Sequence, residues 1–145
     1  MELHTINIQE LIPQHPPFVM VGALVYSDDT STRTRFTIAA DNILLEDGYL
    51  SEAGLTENIA QTAAARSGYE ARKTGQPSPV GYIGAIKNLE IFSKPKAGEE
   101  ILTEIIIENH VFDITLISGK VYHNDQLLAQ CQMKIFITNT KPSQS

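Results

Sequence analysis

The stretch from Ser51 to Lys73 is the single long helical pattern in a chain that otherwise alternates like β-structure, and this contrast constrains the fold most. Leu55, Ile59 and the pair Thr62 and Ala63 recur at helical spacing, which gives one apolar stripe. Ala60, Ala63, Ala64 and Ala65 keep the rod narrow, so it can lie close against a sheet. Ser51 offers an N-cap and Glu52 places a negative charge in the first turn, where the helix dipole favours it. The turn-rich residues from Gly75 to Pro79 end the helix.

On either side the pattern is that of strands. Phe18 to Tyr26 and Ser31 to Ile38 are expected strands joined at Ser27-Asp28-Asp29-Thr30, a cluster with turn chemistry. In the second of them Thr32, Thr34, Phe36 and Ile38 share one face and Arg33 and Arg35 the other, so one side is buried and one is wet. Four more follow the helix: Tyr82 to Phe92, Glu100 to Asn109, Phe112 to Tyr122 and Leu127 to Thr138. The last alternates Leu127, Ala129, Cys131, Met133, Ile135 and Ile137 against Gln130, Gln132 and Lys134. A short helix is expected over 7–11, and 41–50 has no regular pattern. One helix between a hairpin and four strands makes an α+β chain, with a single antiparallel sheet around the helix.

At 145 residues, with 42% apolar and 19% charged, the chain suits one domain, expected over 1–139 with a polar tail over 140–145. The net charge of −6 opposes binding to a nucleic-acid backbone. Arg66, Arg72 and Lys73 fall on one helical segment, where a solvated face or a surface for an acidic carrier protein are the two readings. Cys131 is alone and sits in an apolar pattern, as a small core residue does. Met1-Glu2-Leu3-His4 has neither a basic start nor an apolar run, and no stretch approaches membrane-spanning length, so a cytoplasmic location without membrane association is expected. The histidines have no ligand spacing and the glycines form no phosphate loop, so neither metal nor nucleotide cofactor is expected.

Two short segments carry chemistry. Pro13-Gln14-His15-Pro16-Pro17-Phe18 and Glu57-Asn58-Ile59-Ala60-Gln61 resemble, in order and spacing, the two active-site segments of the beta-hydroxyacyl-ACP dehydratases. Ile86-Lys87-Asn88 and the turn over 94–99 are similar to the strand and Pro/Gly turn that come next in that family. The acidic loop Glu46-Asp47-Gly48 resembles a divergent branch that includes dehydratase-like proteins of aryl-polyene gene clusters. The resemblance implies a hotdog fold, in which the helix is the sausage and the sheet the bun. It also implies a dimer with a site at each subunit boundary, either a homodimer or a heterodimer with a homologous subunit, and an acyl carrier protein or CoA thioester as ligand. A curved sheet with an exposed edge strand independently favours pairing.

Dehydration needs a base to take the proton alpha to the carbonyl and an acid to protonate the departing hydroxyl. Glu57 stands where the family has its acid, and Gln61, one turn along, is placed to orient it or the substrate. The family histidine's position holds Gln14, whose amide has no basic nitrogen. His15, held between prolines, is then the remaining candidate base, reaching Glu57 of a partner subunit. The expected site is therefore Glu57 and His15 as catalytic groups, with Gln14, Gln61 and Phe18 toward the substrate. Three functions stay open: a dehydratase, a non-catalytic partner of an active dehydratase, and a thioesterase in which Glu57 activates water.

Overall fold

The computed structural model describes residues 2–77 and 79–138; the tail expected over 140–145 lies outside them. Seven strands form one antiparallel sheet: β1 (Glu2–Asn7), β2 (Ala23–Ser27), β3 (Ser31–Thr37), β6 (Val80–Ile91), β7 (Glu100–Val111), β8 (Ile114–His123) and β9 (Gln126–Thr138), in the spatial order β1-β2-β3-β7-β8-β9-β6. The two-residue strands β4 (Leu45–Glu46) and β5 (Tyr49–Leu50) make a separate hairpin. The helix α1 (Glu52–Lys73) packs against β2, β3, β6, β7 and β8.

The helix ends follow from local chemistry. The Ser51 hydroxyl accepts the Gly54 amide at 3.2 Å, which satisfies one of the orphan N–H groups of the first turn. At the other end Gln76 N–H reaches Ala71 O at 2.8 Å and Gly75 N–H reaches Arg72 O at 3.3 Å, with Gly75 at φ +71°. This is a Schellman closure, which needs a residue without a Cβ penalty at that point.

Sheet register puts the apolar rows where alternation requires. Thr32, Thr34 and Phe36 pair with Ile105, Thr103 and Ile101, and all six are buried. Ile117 pairs with Met133 and Gly119 with Cys131 on the same face. Gly119 lies directly beneath Ile59, since a Cβ there would come within 2.5 Å of its Cγ2. Burial pushes the Cys131 thiol up to about 11, so it stays protonated as a core group. A second core, of Ile8, Leu11, Ile12, Val21, Leu24 and Ala65, lies under the later half of the helix.

Three expectations need correction. The short helix expected over 7–11 is present only as a 3-10 turn at Ile8–Glu10: strand β1 runs to Asn7, because Ile6 and Asn7 pair with Leu24 and Ala23. The strand expected from Phe18 begins only at Ala23, because the backbone of 18–20 bonds to helix side chains rather than to a neighbouring strand. Within 41–50, Asp47 and Gly48 both take positive φ, 54° and 83°, as a tight two-residue hairpin turn demands. Of the three helix cations, Arg72 pairs with Glu10 and Lys73 with Glu70 at the surface, but Arg66 donates to the carbonyls of Asp28 and Asp29 at 3.1 and 2.6 Å.

Gly68 faces the backbone of Leu11, and an added Cβ would sit 2.1 Å from its carbonyl oxygen. Gly68→Ala should therefore lower stability by about 1–3 kcal/mol in urea unfolding, the usual cost of overpacking. At the β2–β3 turn the Tyr26 hydroxyl, then the amides of Thr30 and Ser31, hold the Asp28 carboxyl well below the usual carboxylate range. A carboxyl depressed in this way stabilises the fold above its unfolded pKa of about 3.9, and that contribution disappears as pH falls below it. Asp28→Asn, which cannot titrate, should show a shallower loss of stability between about pH 4 and pH 2 in the same unfolding experiment.

Candidate functional site

A cavity of about 600 Å³ opens between α1 and the helix-facing side of β6 to β9. Its apolar wall comes from Ala60, Ala63 and Ala64 on the helix and from Ile105, Ile117 and Ile135 on the sheet. Small residues on one wall and branched ones on the other leave a mostly apolar slot. Glu57 and Gln14 both line it.

Glu57 is partly buried, and the Gln61 amide donates to its Oε2 at 2.8 Å. The same amide nitrogen donates to Phe18 O at 2.9 Å, and Gln61 Oε1 accepts the Met20 N–H at 2.7 Å. Both donors and the acceptor of Gln61, itself fully buried, are thus used within the protein. Gln61 orients Glu57 and anchors the segment carrying Gln14, with both of its N–H donors engaged within the protein. Phe18 contributes its backbone carbonyl to this arrangement, while its side chain is 59% exposed and outside the cavity lining.

The two residues at 14 and 15 part company. Gln14 turns inward, and its Oε1 is sealed from solvent with no hydrogen-bond donor. A buried acceptor without a partner costs about 1–3 kcal/mol, so a donor from a ligand or a second chain would relieve it. His15 is exposed and does not line the cavity of its own chain.

His110 stands outside both motif segments, yet it lines the cavity and its Nδ1 lies 2.7 Å from the buried Thr115 hydroxyl. Near a turn in sequence, it gave no periodic signal, because register shifts between Ile107 and Asn109 return it to the helix-facing side opposite Thr115. Arg66 and Asp29 also line the cavity. Among the described residues no cluster of three or more His, Cys, Asp or Glu could hold a metal ion, and no helix is long and apolar enough to cross a membrane.

The ApeP-like family model, described as ApeP dehydratase, matches residues 6–144. None of the curated proteins matches the sequence. Among solved structures, the dehydratase heterocomplex ApeI:P from Xenorhabdus doucetiae is similar at a TM-score of 0.86 and 14% identity, with 94% of each chain covered. An uncharacterized protein, PH1136, from Pyrococcus horikoshii is similar at 0.69 and 10% identity, covering 97% of this chain and 96% of the other. A Streptococcus mutans protein, described as bound to acetyl CoA, is similar at 0.62 and 13% identity, covering 79% and 86%. At such identities the likeness shows the fold, an α+β hotdog with one long helix on a large antiparallel sheet.

Replacing Gln61 by Met keeps the volume and removes three hydrogen bonds, leaving Met20 N–H and Phe18 O unpaired. The expected loss is about 2–4 kcal/mol in urea unfolding, more than an ordinary buried Gln at a single contact would give.

Proposed function

Because the chain belongs to the ApeP-like dehydratase family, we propose that it acts on beta-hydroxyacyl thioesters as one subunit of a two-chain dehydratase, supplying the acyl cavity and the acid Glu57. The observation that carries this is the meeting of Glu57 and Gln14 on one apolar cavity, with no histidine at the position of the family base. The acyl chain lies between the alanines of α1 and the isoleucines of the sheet. A base removes the proton from the carbon alpha to the thioester carbonyl, and its electron pair forms the new carbon–carbon double bond. The bond from the beta carbon to oxygen breaks, and the Glu57 carboxyl, acting as the acid, delivers a proton to the departing hydroxyl, which leaves as water.

The base comes from a second chain. Edge strand β6 pairs only with β9 among the described strands and exposes Tyr82, Ile83 and Ile86, so a homologous dehydratase subunit joining there would bring its own histidine to the cavity. The heterocomplex seen for the similar Xenorhabdus doucetiae structure supports that pairing, and the acetyl CoA of the Streptococcus mutans structure supports a thioester ligand. A second reading is favoured by the exposure of His15 beside Gln14: in a homodimer the His15 ring of one copy faces Glu57 of the other. Acyl carrier protein is the carrier in either case, with CoA as its simpler substitute.

The test incubates a beta-hydroxyacyl-carrier substrate with the chain alone, with a homologous dehydratase subunit alone, and with both, and follows enoyl product and free acid. The mixture should form enoyl product faster than the sum of the separate chains, and Glu57→Gln should cut its rate about 100-fold or more, the usual worth of a positioned acid. Turnover by the chain alone that His15→Ala abolishes would assign the base to a second copy. Release of free acid in place of enoyl product would replace the proposal by thioester hydrolysis.

A further inference from the structure

The side chains of Asn58 and Gln61 take hold of both backbone groups of Met20. Asn58 Nδ2 donates to Met20 O at 2.7 Å, and Gln61 Oε1 accepts Met20 N–H at 2.7 Å. In a sheet these two groups would bond to a neighbouring strand; here two side chains three positions apart on one helix face do that work. Asn58 is fully buried, and its Oδ1 accepts the Thr103 hydroxyl from β7, which fixes the carboxamide with its nitrogen toward Met20. Asn58 does not line the cavity.

Met20 is itself fully buried in the main core, and six residues before it stands Gln14 on the cavity wall. Between them Pro16 and Pro17 lock two φ angles, so the segment has little slack to absorb a shift at Met20. Gln61 joins this segment to Glu57 by hydrogen bonds, but among the described residues its side-chain hydrogen bonds run to Phe18, Met20 and Glu57 and none reaches β7. Asn58 supplies that missing link, from Met20 through the carboxamide to Thr103 of the sheet.

We propose that Asn58 is a positioning residue for the cavity: by tying Met20 to Thr103 it sets the distance between the Gln14 wall and the Glu57 carboxyl. The inference rests on the dehydratase proposal for its kinetic consequence, though not for its geometry. A displacement of about 1 Å in such a wall is enough to cost up to about 100-fold in rate. A purely structural Asn58 would lower stability and leave the rate per folded molecule intact.

The experiment compares Asn58→Ala and the milder Thr103→Val with Thr62→Val, all as full chains in the reconstituted two-chain assembly. Thr62 is an equally buried helix residue whose hydroxyl bonds to Thr34 at 2.7 Å and donates to the Asn58 backbone carbonyl at 2.9 Å; its variant leaves the Asn58 carboxamide and its bonds to Met20 and Thr103 in place, and so reports the effect of disturbing the adjoining buried polar network without cutting the clamp. Expected are a drop of at least tenfold in kcat/KM for Asn58→Ala, a smaller drop in the same sense for Thr103→Val, and less than a twofold change for Thr62→Val. Hydrogen exchange at the Met20 amide should quicken at least tenfold in the first two variants only. Equal kinetics and equal exchange in the Asn58 and Thr62 variants would overturn the proposal, as would faster exchange at Met20 with kcat/KM unchanged. If the wild-type assembly formed no enoyl product, the dehydratase reading would fall, and exchange at Met20 would alone decide for or against the clamp.

Discussion

Everything near the cavity depends on the carboxamide of Gln61. One side chain joins the helix to the N-terminal segment through Phe18 O and Met20 N–H, and directs its remaining N–H to Glu57. A carboxamide is suited to this because it donates and accepts at once, in a plane fixed by its own bonds. Buried away from water, each of these bonds is costly to lose, so the positions of Gln14 and Glu57 relative to each other are set by hydrogen-bond geometry more than by hydrophobic contact.

That arrangement explains why the first expected strand starts late. The alternation from Phe18 onward reads as a strand, but a strand needs its backbone groups for a ladder, and Phe18 O and both backbone groups of Met20 are already engaged by Gln61 and Asn58. Only at Gly22, whose amide bonds to Arg35 O at 2.8 Å, does ladder pairing begin. Side chains that replace a ladder leave no periodic trace. By contrast the helix from Glu52 and the alternating faces of β3 and β9 were legible residue by residue, because burial of one face fixes periodicity directly.

The site was legible in part for a similar reason. Glu57, Gln61 and Gln14 stand in recognisable segments, and the structure gathers all three at one cavity wall or behind it. His110 reached the same cavity through a shift in strand register, which local sequence does not announce. Asn58 carried no signal either, since an asparagine in a helix reads as indifferent until the partners of its amide are known. The exposure of His15 likewise depends on the path of a loop braced by prolines, not on any pattern around it.

In the proposed function, the Glu57 carboxyl facing an apolar slot supplies half of an acid–base pair, and Gln14 stands where the base would be. A bound substrate must then present its beta oxygen to Glu57 and its alpha carbon toward a second chain. The most direct measurement is a structure of the assembled protein with a stable beta-hydroxyacyl thioester mimic. The beta oxygen should lie within about 2.6–3.2 Å of the Glu57 carboxyl, with the acyl chain along Ala60 and Ala64. An acyl chain lying outside the cavity, or a beta oxygen directed away from Glu57, would contradict the proposed function.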